Sequence, residues 1–121
     1  HNKFNTFIKY KFSLCFENCS HIGYITEKIF DSMFAGCIPV YFGCPNIRHE
    51  IDAEAFIDKR DFSSYKDLYL YLNSMSKKEY LFRIKKIIDF YYKYMKTTYY
   101  DLEWASYICK KCMFLVDKVQ K

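Results

Sequence analysis

The run Cys37-Ile38-Pro39-Val40-Tyr41-Phe42 does most to narrow the fold. A nearly unbroken apolar stretch of this length marks a strand buried on both faces, as in parallel sheets. Pro39 suits the start of such a strand, since proline cannot donate to the ladder. Gly43-Cys44-Pro45-Asn46 then closes the run with turn chemistry. Upstream, Ile25, Ile29, Phe30, Met33 and Phe34 recur on one side of a predicted helix, and Gly36 stands just past its end, where a left-handed cap residue is expected. An earlier strand is predicted over Lys11-Phe12-Ser13-Leu14-Cys15-Phe16, ending at the polar pair Glu17-Asn18. A third is predicted over Ala55-Phe56-Ile57-Asp58. Strand, helix, strand, loop, strand is the βαβ signature of an open, doubly wound sheet. In such sheets ligands bind beyond the carboxyl ends of the strands, where Glu17-Asn18 and Gly43 to Asn46 both fall.

Three helices are predicted to follow. Ser63-Ser64 caps one carrying Leu68, Tyr71, Leu72 and Met75; the second carries Leu81, Ile84, Ile88, Tyr91 and Met95; the third carries Leu102, Ala105, Cys109, Cys112, Val116 and Val119. The chain's 121 residues suffice for one domain with a core, and 21% aromatic content excludes a disordered chain. The chain opens at His1 rather than Met, and we expect it to be a piece of a longer protein. A net charge of +5 favours an anionic partner, but the lysines are scattered, with no block that would mark a nucleic-acid arm. No apolar run approaches the roughly 20 residues that span a bilayer.

The stretch that bears chemistry is Phe16-Glu17-Asn18 followed by Gly23-Tyr24-Ile25-Thr26-Glu27-Lys28. Thr26 suits an N-cap, which puts Glu27 and Lys28 in the first helical turn. Glutamate is favoured there by the helix dipole; lysine is not, because its charge adds to the positive end. A lysine beside unpaired backbone N–H groups makes sense where an anion such as phosphate binds. Tyr24 can add a hydroxyl or a ring face, and Glu27 can accept hydrogen bonds from sugar hydroxyls. The plainer reading of a Thr-Glu-Lys helix start is a set of solvated charges, and the residues alone leave both readings open.

Four segments in order resemble successive motifs of the α1,3-fucosyltransferases, glycosyltransferase family 10: Tyr10 to Asn18, Gly23 to Ile29, Ala35 to Gly43, and Ala55 to Asp58 with Asp61-Phe62. The likeness runs over roughly residues 8 to 73. It implies an α/β fold, a Rossmann-like parallel sheet with flanking helices, as the carboxy-terminal half of a two-domain B-type glycosyltransferase. Residues 1–121 would form a single GDP-fucose-binding domain, lacking the amino-terminal domain that holds the catalytic base and most of the acceptor site. Fucose would pass with inversion from GDP-fucose to a hydroxyl of an acceptor oligosaccharide or glycoprotein, without an obligatory metal or cofactor. The donor site would comprise Asn18, Tyr24, Thr26, Glu27 and Lys28, with Glu27 and Lys28 as the catalytic pair that positions the donor and stabilises the leaving group. Relatives are Golgi membrane enzymes in eukaryotes and lie at the cytoplasmic face of the membrane in bacteria. The piece alone is expected to bind donor but not to transfer sugar. Cys19 departs from the Ser or Thr more usual there.

Rival readings are a transferase using a UDP or ADP sugar, a non-catalytic remnant, and a zinc or redox module. For the last, Cys109-Lys110-Lys111-Cys112 has knuckle spacing, but both cysteines fall on the predicted apolar stripe, so core packing is preferred. Asn18-Cys19-Ser20 matches a glycosylation sequon that a donor-lining role for Asn18 rules against. His21 and His49 read as loop residues, and Tyr91-Tyr92-Lys93-Tyr94 as an amphipathic helix surface rather than a nucleic-acid stacking platform.

Overall fold

The computed structural model describes residues 3–94 and 102–119, with side chains of the last helix described over 106–116. Helix α1 (Lys3–Phe7) leads into β1 (Phe12–Phe16), α2 (Glu27–Phe34) and β2 (Ile38–Phe42). A single turn, α3 (Ile47–Glu50), precedes β3 (Ile57–Asp58) and a 3₁₀ turn over Lys59–Asp61. Three helices complete the chain: α4 (Tyr65–Ser74), α5 (Lys77–Tyr94) and α6 (Leu102–Val119). The strands pair in parallel in the order β1-β2-β3, with Phe12 opposite Ile38 and Phe16 opposite Phe42. The parallel α/β sheet expected from the apolar run is therefore present, and the expected loop after β2 contains the extra turn α3.

Pro39 sits inside the central strand, and the register explains why it is tolerated. The Ile38 N–H bonds Lys11 O at 2.8 Å, on the β1 side. Donors alternate along a strand, so the N–H that Pro39 lacks would point towards β3. That strand first pairs at Val40, one residue further on, so no ladder bond is lost.

Helix α2 begins where the sequence placed it. Thr26 is its N-cap in extended conformation, its side chain accepting from the Lys28 N–H. It ends at Ala35, and Gly36 follows at φ 77°, the left-handed region expected of a residue just past a helix. Ile29 and Met33 are buried against the sheet, each contributing about 1.5–3 kcal/mol. Side chains alternate along β1, and Ser13 and Cys15 turn to α2: Ser13 Oγ bonds Ser32 Oγ, and Cys15 Sγ lies 3.4 Å from Lys28 O.

Helix α5 lays Tyr80 against Phe12, and further along Phe90 and Tyr91 against Phe30 and Phe34 of α2. The Tyr91 hydroxyl donates to Phe30 O at 2.7 Å. Its predicted stripe holds, widened by buried Tyr80, Ile87 and Phe90; Met95 lies outside the described residues. In α6 the stripe is turned from the expected one. Ile108, Lys111, Cys112, Leu115 and Val116 are buried while Cys109 is exposed. The side chains of Leu102, Ala105 and Val119 lie outside the described residues. The turn has a polar cause: Lys111 reaches inward, its Nζ donating to Ala35 O at 2.7 Å and Phe7 O at 3.3 Å. A cation on the last carbonyls of α2 is favoured by the helix dipole. Burial nevertheless holds the Lys111 pKa below the ordinary lysine value, countered in part by nearby Cys37. All six cysteines are free thiols, and no His, Cys, Asp and Glu cluster able to hold a metal occurs among the described residues.

Candidate functional site

The site is built where β1 and β2 end. The ladder continues one step past β1, as the Glu17 N–H donates to Phe42 O at 2.8 Å. By strand alternation this turns the Glu17 side chain to the α2 face, after Ser13 and Cys15. Its carboxylate is fully buried. Oε1 accepts from the Thr26 N–H at 2.9 Å and Oε2 from the Thr26 hydroxyl at 2.7 Å. The Tyr41 hydroxyl of β2 adds a longer bond to Oε1 at 3.4 Å and itself accepts from the Cys44 N–H at 3.0 Å. Burial pushes the Tyr41 phenol up to about 12, against the lowering effect of the Cys44 N–H.

Lys28, in the first turn of α2, folds back over this arrangement. Its Nζ donates to Phe16 O at 3.0 Å and Asn18 Oδ1 at 3.3 Å, and stands 3.8 Å from Glu17 Oε2. The ammonium is only partly buried, so one side of it meets solvent. A partly exposed cation carried on the first turn of a capped helix thus stands at the carboxyl edge of a parallel sheet. Such an arrangement can receive an anion, phosphate above all.

The loops after β1 and β2 are stapled together. Ser20 Oγ donates to Gly43 O at 2.8 Å, and the Gly23 N–H donates to Asn46 Oδ1 at 3.1 Å. Gly43 is required by close approach: a Cβ there would stand 2.4 Å from Glu17 Cγ and 2.7 Å from Glu17 Cβ. At the end of β3, buried Asp58 takes a three-point grip from Arg60, from its N–H at 3.0 Å, Nε at 3.1 Å and Nη2 at 2.8 Å. Arg60 also donates to Pro45 O at 3.2 Å, tying this corner to the β2 loop.

Of the residues expected from sequence, Asn18, Thr26 and Lys28 are brought into one hydrogen-bonded group. Tyr24 and Glu27 stand exposed at its rim, Glu27 in the first turn and Tyr24 two residues before the cap. His21 and His49 are exposed loop and turn residues. Sequence reasoning placed Glu17 and Gly43 at the strand ends without giving either a role, and passed over Tyr41. A signal for two of them existed in strand alternation: Cys15 and Glu17 share a face, and Tyr41 pairs with Cys15 across the sheet.

The whole chain, residues 1–121, matches the family described as Glycosyltransferase family 10 (fucosyltransferase) C-term. It is 38% identical over 71 residues to the alpha-(1,3)-fucosyltransferase FucT of Helicobacter pylori, an alignment covering 59% of this chain and 15% of that protein. It is 35% identical over 106 residues to 4-galactosyl-N-acetylglucosaminide 3-alpha-L-fucosyltransferase 9 of Mus musculus, covering 84% of this chain and 28% of that one. Among solved structures it resembles an alpha1,3-fucosyltransferase crystallised with GDP-fucose, at a TM-score of 0.61 and 28% identity over 80% of this chain and 35% of that one. The chain therefore spans well under half the length of the relatives it matches. Strand order, capped helix and matched family agree, and the chain belongs to glycosyltransferase family 10, the fucosyltransferases, in their carboxy-terminal part.

Proposed function

We propose that this chain supplies the donor half of an enzyme that moves fucose, with inversion, from GDP-fucose to a hydroxyl of an acceptor glycan in α1,3 linkage. The observation that carries this reading is the seat of Lys28, a partly exposed ammonium carried on the first turn of capped α2 and held at the carboxyl ends of the strands. Membership of the fucosyltransferase family and the likeness to a relative crystallised with GDP-fucose support it.

In this reading the acceptor oxygen attacks the anomeric carbon as a base takes its proton. The bond from that carbon to the β-phosphate oxygen breaks, and GDP departs with the electron pair. Charge grows on the β-phosphate, where Lys28 and the α2 N–H groups oppose it from fixed positions. Asn18, whose amide oxygen is engaged by Lys28, offers its amide N–H groups to the donor. Exposed Glu27 accepts from sugar hydroxyls, and Tyr24 adds a hydroxyl or ring face at the rim. The base and most of the acceptor site belong to the amino-terminal domain, so this chain binds donor without completing transfer. The whole enzyme works at a membrane, in the Golgi of a eukaryote or at the cytoplasmic face in a bacterium. Among the described residues no helix is long and apolar enough to cross one.

Calorimetric titration with GDP, UDP and ADP tests the reading, after circular dichroism has shown the chain and its Lys28→Ala variant folded. Preference for GDP, weakened by about 1–3 kcal/mol in the variant, is the expected outcome. Preference for UDP or ADP would point to another nucleotide sugar. A folded chain that ignores all three, or a variant that binds equally well, would sink the site assignment.

A further inference from the structure

We propose that Glu17 is a positioning residue, whose buried carboxylate holds the Lys28 ammonium and the first turn of α2 in the register that meets the donor diphosphate. The proposal rests on the donor-site reading above. A fully buried carboxylate is costly unless its oxygens are bonded and its charge is faced by another. Here both oxygens are bonded by Thr26, the residue that caps α2, and the facing cation is Lys28 at 3.8 Å. One side chain therefore fixes the two sources of positive potential together, the helix end through Thr26 and the ammonium through its charge. Glu17 is itself fixed by its N–H in the ladder to Phe42 O, by the Tyr41 hydroxyl donating to Oε1, and by the close approach of Gly43, where an added Cβ would stand 2.4 Å from Glu17 Cγ. Phe16 O and Asn18 Oδ1 complete the seat of Lys28 from the residues on either side. Because the carboxylate is buried behind the ammonium, its part is played through Lys28 and Thr26.

Glu17→Gln keeps shape and an acceptor for the Thr26 N–H, but removes the charge and turns an amide donor toward Thr26 and Lys28. Two measurements on the full chain distinguish positioning from simple scaffolding. In nitrogen-15 NMR, with the Lys28 ammonium signal assigned by its loss in Lys28→Ala, the wild-type signal should exchange slowly with water. In Glu17→Gln it should average to the fast exchange of exposed Lys77 and Lys78. In GDP titrations, Glu17→Gln should weaken binding about tenfold, and the double variant should bind about as weakly as Lys28→Ala alone, because partners in one network are not additive. Losses that multiply in the double variant, or a Lys28 signal unmoved by Glu17→Gln, overturn the proposal. If the Lys28 signal loosens as expected but the folded wild type does not bind GDP, the donor reading has failed, and the diphosphate role of Glu17 with it. Should Glu17→Gln not fold, Glu17→Asp takes its place. It keeps the charge but retracts it by one methylene, and intermediate loosening of Lys28 with intermediate loss of GDP is expected. An aspartate variant with both properties of the wild type overturns the proposal as well.

Discussion

Replacing Tyr41 by phenylalanine isolates what one phenol contributes to the loop that closes the site. The ring is fully buried, and Tyr41→Phe leaves its packing against Phe56 in place, so no cavity opens. What is lost is the acceptor of the Cys44 N–H at 3.0 Å and a weaker donor to Glu17 at 3.4 Å. A buried N–H left without a partner costs about 1–3 kcal/mol, and the long bond to Glu17 adds little. We therefore expect a loss of about 1–3 kcal/mol at neutral pH, read by urea unfolding with an unchanged m-value.

The alkaline limb provides a second, independent reading. The folded phenol titrates at about 12 rather than 10.0, so above the ordinary value the native state holds a proton that the unfolded chain has lost. Stability then falls as pH rises through that interval. Two pH units correspond to about 2.7 kcal/mol. Tyr41→Phe has no such loss, so its stability should converge on the wild type's across the interval, while groups common to both proteins cancel in the difference. A neutral-pH loss below about 0.5 kcal/mol, within the spread of ordinary surface substitutions, would refute the bonding argument. Parallel curves across the alkaline interval would refute the burial argument.

Gly36→Ala should cost about 1–3 kcal/mol, because φ is 77° and the new Cβ would lie 2.8 Å from Ile108 Cδ1; an unchanged unfolding midpoint would show that α6 does not pack there. Lys111→Met should remove a rise in stability on the approach to pH 10.5, since desolvation lowers the folded ammonium's pKa and the unfolded chain binds the extra proton. Identical pH profiles for variant and wild type would refute that burial. At Asp58, desolvation raises the carboxyl pKa but is outweighed by the Arg60 hydrogen bonds and the charges of Arg60 and Arg48, so the net shift is downward. The stability it confers is present above pH 3.8 and lost as pH falls through the folded value. Asp58→Asn should therefore cost about 3 kcal/mol at neutral pH and flatten the acid limb, and an acid limb as steep as the wild type's would count against it.

The sequence alone determined the elements whose physics is local. Thr26 caps α2 through a bond two residues away, Gly36 follows with the backbone only glycine adopts readily, and the apolar run is buried from Cys37 to Tyr41, with Phe42 exposed at its end. Those signals placed β1, α2 and β2 and put Asn18, Thr26 and Lys28 at one sheet edge. The tertiary structure decided what depends on partners distant in the chain. Glu17 reads as a polar strand end until pairing with Phe42 buries it against Thr26, Tyr41 and Gly43, and nothing within a helical turn of it announces those neighbours. Cys109 reads as a core residue until α6 docks on the end of α2 and the Ala35 and Phe7 carbonyls draw Lys111 inward instead. Periodicity reports that a helix has an apolar side; which side chain completes the buried polar network is set by the surface it lands on.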